Sequence, residues 1–192
     1  MNEANTELVI IGGSAGSLQV ILEMIKKLDI DLGFPMVLVV HRKAQSTSLL
    51  PILMTQISAL KVKEVEDKTE LDKKCIYIAP ADYHLLFESK NKVSLDASEK
   101  VNYSRPSIDV SFKSAAETFG KNVVAILLSG ANADGTEGLE YIKKNKGKVW
   151  IQNPDTAEVD YMPKQAIRNV EFDCIFEAED LAQKINRLKY IH

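Results

Sequence analysis

Apolar and polar residues follow one another along this chain in two rhythms. Residues 8–11 form a continuous apolar run closed by Gly12-Gly13-Ser14-Ala15-Gly16, after which Leu18, Ile21, Leu22, Ile25 and Leu28 recur at helical spacing. This predicts a strand buried on both faces, a tight turn and an amphipathic helix. A second buried strand is predicted over residues 36–40, ending at His41, and a helix over 48–57 with Leu49, Leu50, Leu53 and Ile57 on one side. Strand, helix, strand, helix in this order implies a parallel sheet with helices on its faces.

The middle of the chain reads differently. A weakly alternating strand is expected at 61–66 and an apolar one at 75–79. Residues 83–87 and 92–95, separated by Glu88-Ser89-Lys90-Asn91, have hairpin character. These short strands are expected as an antiparallel addition at one edge of the sheet. The βα rhythm then returns. Ser107 caps a helix carrying Ile108, Phe112, Ala115, Ala116 and Phe119, and a strand at 122–128 runs into Ser129-Gly130-Ala131-Asn132-Ala133-Asp134-Gly135. Helices at 137–144, 162–168 and 178–190 and a strand at 149–152 complete the pattern. The fold class is α/β: residues 1–192 read as one domain with a doubly wound, mostly parallel sheet, helices on both faces and a short antiparallel addition.

Composition narrows the function. The chain has 192 residues, 45% hydrophobic and 27% charged, with a formal net charge of −3. That is ordinary for a globular protein and lacks the basic excess of a nucleic-acid binder. No run reaches the roughly 20 apolar residues of a membrane span, and the polar start is unlike a signal peptide, so a cytoplasmic location without membrane insertion is expected. Cys75 and Cys174 both sit in or beside apolar runs and are expected as buried free thiols.

Three polar residues fall at predicted strand ends, where ligands bind on doubly wound sheets: Ser14, His41 and Asp134. Small residues around Ser14 permit a tight turn with an exposed hydroxyl and first-turn amides aimed at an oxyanion. The same turn is open to a simple serine N-cap or a phosphate loop, although the dinucleotide glycine order and the Walker lysine are both missing. His41 stands where a general base would, and Asp134 could orient it or cap the following helix. Two histidines and an aspartate could ligate a metal, but no short-range ligand spacing supports one, and no metal or cofactor is expected.

These segments resemble a known family. Ile11-Gly12-Gly13-Ser14-Ala15-Gly16, Val40-His41 and Leu128-Ser129-Gly130-Ala131-Asn132-Ala133-Asp134-Gly135 are similar to the three catalytic segments of the CheB-type chemotaxis protein-glutamate methylesterase domain. Tyr77-Ile78-Ala79-Pro80-Ala81-Asp82-Tyr83-His84-Leu85, Arg105-Pro106-Ser107-Ile108-Asp109 and Met162-Pro163-Lys164-Gln165-Ala166-Ile167 agree in collinear order. The resemblance implies a serine esterase with Ser14 as nucleophile, His41 as base and Asp134 as its orienter. Backbone amides near Ala15 and Ala131 would serve as oxyanion donors. Its implied reaction is hydrolysis of glutamate methyl esters on chemoreceptor cytoplasmic helices, with glutamine deamidation as a second activity. Family members usually carry Ser-Thr-Gly-Gly where this chain has Ser14-Ala15-Gly16-Ser17, Met-Pro where it has Arg42-Lys43, and Gly-Met-Gly where it has Gly130-Ala131-Asn132. These departures motivate an alternative, a catalytically weak or inactive interaction module of the same fold. Only seven residues precede the first strand, where family members typically carry a receiver domain, so the sequence is that of either a stand-alone enzyme or an excised domain, and a separate receiver or signalling protein is a further candidate partner. The cleft is expected to be open, with Arg42, Lys43, His84 and Arg105 on its rim. Cations there point to an acidic protein helix as substrate.

Overall fold

The computed structural model describes residues 5–43 and 49–190. Seven parallel strands form the main sheet: β1 (Leu8–Gly13), β2 (Met36–Val40), β3 (Lys61–Glu64), β4 (Cys75–Ile78), β7 (Val123–Leu127), β8 (Lys148–Gln152) and β9 (Cys174–Phe176). The order is β3-β4-β2-β1-β7-β8-β9. From β1 the chain winds outward through β2, and it later returns to β7 on the other side of β1. The order therefore reverses at β1, and the crevice of such a sheet opens beyond the carboxyl ends of β1 and its two neighbours.

Alternate side chains of the five central strands, β4, β2, β1, β7 and β8, feed two separate cores. On one face Leu8, Ile10, Val37, Val39, Ala125, Leu127, Val149 and Ile151 pack under α3 (Ile108–Phe119), α4 (Thr136–Lys144) and α5 (Tyr161–Asn169). On the other, Val9, Ile11, Met36, Leu38, Ile76, Val124 and Ile126 meet α1 (Ser17–Ile25), α2 (Leu50–Ile57) and α6 (Leu181–Arg187). Burial on both faces is why these central strands read as unbroken apolar runs rather than as alternation. Leu181 and Ile185 of α6, and Leu188 in the 3-10 turn that follows it, are buried, as their spacing predicts.

Four expectations need correction. The strand near 61–66 and the one at 75–79 are parallel members of the main sheet, β3 and β4. The antiparallel addition is β5 (His84–Ser89) with β6 (Lys92–Asp96), a sheet of its own rather than an edge extension. Its Leu85, Phe87 and Val93 join the core under α3, with the Phe87 ring edge-on to Phe119 at 5.3 Å. Second, α2 turns a different face inward: Leu50, Met54 and Ile57 meet the core, whereas Leu49 and Leu53 are 68% and 41% exposed. Met54, omitted from the expected stripe, supplies the central i, i+4 position. Ser48, the expected first residue of that helix, lies outside the described residues. Third, β9 is an edge strand that the apolar pattern did not mark; only Phe176 of its three residues is buried. Fourth, Cys75 is buried but Cys174, on that edge, is only partly so. No helix among the described residues is long and apolar enough to cross a membrane.

Candidate active site

Ser14, His41 and Asp134 all follow strands that flank the crevice. Gly13 pairs with Val40 across β1 and β2, and the His41 N–H donates to the Gly13 carbonyl at 3.1 Å. The next residues on the two strands, Ser14 and His41, are thus brought side by side by register. The Ser14 turn is fixed from beneath. Its N–H donates to the Ser129 carbonyl at 2.9 Å, and the buried Ser17 hydroxyl donates to the Ser14 carbonyl at 2.6 Å. Ser17, a departure from the family pattern, therefore locks the turn. Gly16 has φ 79°, and a Cβ there would sit 2.7 Å from the Ser129 Oγ, so glycine is required twice over.

Ser129, fully buried, joins three segments. Its hydroxyl donates to the Ala15 carbonyl at 2.7 Å and accepts from the Val159 N–H at 2.9 Å, while its own N–H donates to the Gln152 Oε1 at 3.0 Å. The Ser14 turn is thereby tied to the ends of β7 and β8. The Ala15 and Ala131 N–H groups donate to no acceptor among the described residues and both residues are exposed, which leaves these amides available to an anion. The Ser14 hydroxyl likewise has no partner among the described residues. Nucleophile–base hydrogen bonds are commonly loose without substrate and tighten in the complex.

His41 Nε2–H donates to Asp134 Oδ2 at 2.6 Å. Asp134 is 1% exposed, and donors surround it. Oδ2 also accepts from the Ile108 N–H at 2.7 Å, and Oδ1 accepts from the Asp109 N–H at 2.9 Å and the Ser107 hydroxyl at 3.1 Å. Asp134 does not cap α4, the helix that follows it; its carboxylate sits at the N-terminus of α3 instead, where free amides and the helix dipole favour an anion. Burial alone would raise its pKa, but the His41 bond and the Asp109 and Ile108 amides outweigh it and hold the carboxyl below its ordinary value.

Asp109 makes the reciprocal contact. Its Oδ1 accepts from the Gly135 and Gly138 N–H groups, at 2.9 and 2.7 Å, at the start of α4. Two carboxyls and two helix starts are thus exchanged across the loop that carries Asp134. Burial, opposed by the Gly138 amide and reinforced by the neighbouring Asp134 carboxylate, pushes the Asp109 carboxyl up to about 7. Folded Asp109 binds its proton more tightly than the unfolded chain, whose aspartate titrates near 4, so stability falls as pH rises from about 4 to about 7. Asp109→Asn keeps an acceptor for both amides and cannot ionise. Its stability relative to the parent should therefore improve over that window, by roughly a few kcal/mol in all. Urea midpoints of both proteins from pH 4.5 to 7.5 test this, and parallel curves would refute it.

A cleft of about 480 Å³ opens beside the imidazole, with His41, Arg42, Lys43, Lys100, Tyr103 and Arg105 in its walls. Three of the four expected rim residues therefore share one cleft. His84 does not reach it: it is 1% exposed and accepts from the Ser107 N–H at Nδ1, 3.1 Å away, while its Nε2–H donates to the Glu99 carbonyl at 2.9 Å. It looks like a rim residue in the sequence because Asp82 and Tyr83 before it are polar and exposed, but β5 turns it inward. Arg42 is committed to Glu64 and, at 3.2 Å, to the Ala79 carbonyl. Sequence reasoning passed over Ser129, Gln152, Asp109, Lys100 and Tyr103. Asp109 alone carried a signal, an acidic residue in the first turn of a helix whose neighbouring positions are apolar.

Ser107 poses a second Ser–His–Asp grouping with His84 and Asp134. It is not a nucleophile arrangement: the contact to His84 comes from the Ser107 backbone, and its buried hydroxyl donates to Asp134 and accepts from the Val110 N–H. That is helix capping. Among the described residues no three His, Cys, Asp or Glu side chains are grouped to hold a metal.

Comparison with known proteins identifies the family. The family model described as CheB methylesterase matches residues 9–185. A putative protein-glutamate methylesterase/protein-glutamine glutaminase of Leptospira interrogans is 38% identical over 96% of this chain and 95% of its own length. Protein-glutamate methylesterase/protein-glutamine glutaminases of Thermotoga maritima and Shewanella oneidensis are 34% and 33% identical, and the chain spans about half of their length, 54% and 53%. The crystal structure of the Thermotoga maritima CheB methylesterase catalytic domain superposes with a TM-score of 0.90 at 33% identity, covering 95% of this chain and 98% of that one. Matched over most of its length by the family model and by a relative of nearly the same extent, the chain belongs to the CheB methylesterase family.

Proposed function

We propose that this protein hydrolyses glutamate methyl esters on the cytoplasmic helices of chemoreceptors, with Ser14, His41 and Asp134 as its triad, and that it works in the cytoplasm. The observation that carries the triad is the 2.6 Å bond from His41 Nε2–H to a buried Asp134 already held by two α3 amides. With Nε2 committed, Nδ1 is the ring nitrogen left to act as base. It takes the Ser14 proton as Oγ attacks the ester carbonyl, and the Ala15 and Ala131 amides receive the oxyanion. Collapse of the tetrahedral intermediate expels the methoxy group, which leaves as methanol with the proton from Nδ1. Water then attacks the acyl-enzyme, giving its proton to Nδ1 and restoring Ser14, and the product is a glutamate carboxylate. A glutamine side chain follows the same course with ammonia as the leaving group.

The test is methanol release from a purified, methylated receptor cytoplasmic fragment, run beside hydrolysis of a small neutral ester. Methanol at a rate above buffer is expected. Hydrolysis of the small ester without any from the fragment would assign the triad to another ester, and failure on both would favour the inactive interaction module.

A further inference from the structure

Part of the cleft wall is built by the segment between β6 and α3, and its geometry is unusual. Val101 and Ser104 form a tight antiparallel turn, the Val101 N–H donating to the Ser104 carbonyl at 3.1 Å and the Ser104 N–H to the Val101 carbonyl at 2.9 Å. The two residues between them, Asn102 and Tyr103, have φ of 49° and 63°. Consecutive positive φ values suit a hairpin turn whose central positions favour Asn and Gly, and a tyrosine there is disfavoured by its Cβ. The turn holds Tyr103 97% exposed at the mouth of the cleft. A large aromatic residue kept in solvent in a disfavoured conformation is a positioned group rather than a packing residue.

The turn rests on a fixed base. Arg105 donates from Nη1 to the Ala97 and Ser98 carbonyls, both at 2.8 Å, and His84 donates to the Glu99 carbonyl at 2.9 Å. Arg105 in the cleft wall and the buried His84 thus both anchor this segment. Of the cations in the cleft, Arg42 pairs with Glu64 and Arg105 lies 3.7 Å from Asp82, whereas Lys43 and Lys100 form no ion pair among the described residues. Two uncommitted lysines and an exposed tyrosine therefore face a cleft that shares His41 with the triad.

We infer that this cleft is the docking subsite for the protein substrate, in which the Tyr103 ring lies against an acidic α-helix flanking the target glutamate while Lys43 and Lys100 pair with its carboxylates. The inference rests on the esterase reading for the identity of the helix and on charge complementarity for its chemistry. Tyrosine suits such a task because it offers a broad amphipathic contact at small cost in side-chain entropy.

The experiment measures binding, independent of turnover. Ser14→Ala protein is titrated with a purified, methylated receptor cytoplasmic fragment, and the titration is repeated with Tyr103→Ala, Tyr103→Phe and Lys100→Ala added singly. Tyr103 is fully exposed, so thermal melting should be the same for all. The expected result is a Kd weakened about tenfold by Tyr103→Ala and restored by Tyr103→Phe, with Lys100→Ala flattening its salt dependence. Equal affinity in the Tyr103→Ala protein, or no binding by the Ser14→Ala parent, overturns the inference. Tyr103-dependent binding by a protein whose Ser14 form releases no methanol would uphold the docking subsite and defeat the esterase reading instead.

Discussion

Ser14→Ala should abolish ester hydrolysis, by about five to six orders of magnitude in kcat, while leaving the melting temperature within about 2 °C of the parent. The two halves of this expectation come from different atoms. The Ser14 backbone carries the structural bonds, its N–H to Ser129 and its carbonyl to Ser17. Alanine keeps both. The hydroxyl has no partner among the described residues and the residue is half-buried, so removing it opens no buried hydrogen bond. What is lost is the nucleophile. Stopped assays on a small ester, with labelling by an active-site serine reagent, provide the measurement. The parent should be labelled at Ser14 and the variant should not. Equal hydrolysis by both proteins would remove Ser14 from the mechanism, and an unlabelled, inactive parent would support the interaction module.

Asp134→Asn should fail on both counts, activity falling about ten-thousandfold and stability falling by several kcal/mol. Every hydrogen-bond partner of the carboxylate is a donor: the Ile108 and Asp109 amides, the Ser107 hydroxyl and His41 Nε2–H. Asparagine must turn its NH2 toward one pair of them, whichever way it is placed. Aimed at Ile108 and His41, it orphans a buried amide and forces the imidazole into the tautomer whose Nδ1 carries a proton and cannot act as base. Aimed at Asp109 and Ser107, it opposes the start of α3. Each buried group left unsatisfied costs about 1–3 kcal/mol, and in a chain of this size each kcal/mol lowers the melting temperature by about 2–4 °C. The sign with pH also differs from that of Asp109. Folded Asp134 has the lowered pKa, so its stabilising contribution is present above the unfolded aspartate value near 4 and is lost as pH falls through the folded value. The gap between parent and variant should therefore narrow in acid. A variant that loses turnover yet melts with the parent would refute the helix-start role.

The centre of the sheet was legible in the sequence because its inner strands are buried on both faces, which leaves unbroken apolar runs at residues 8–11, 36–40 and 123–128. The strand ends carrying Ser14, His41 and Asp134 follow from that reading. Features that depend on a neighbour were not legible. Nothing local shows that β5 and β6 leave the main sheet to lie against α3, and β9 is too short and too exposed to leave a pattern. His84 is polar by type and buried by context, whereas Tyr103 is aromatic by type and exposed by context. The roles of Ser129 and Asp109 exist only once segments more than twenty residues apart come together, as in the Gln152 bond to Ser129 and the Asp109 bonds to Gly135 and Gly138. Sequence periodicity reports which side faces the core and is silent on which polar groups meet inside it.

The exchange of carboxyls between α3 and α4 has a consequence for how the family can diverge. On the proposed mechanism Asp134 answers to two constraints, the imidazole on one side and the opening of a helix on the other, and only the first disappears when chemistry is no longer needed. Ser14 answers to one. A lineage that abandons hydrolysis and keeps the fold is free to drift at the serine, then at His41, while folding continues to retain the aspartate. An intact Asp134 in a distant descendant therefore attests to ancestry and foldability, and the residue to inspect for living catalysis is the serine.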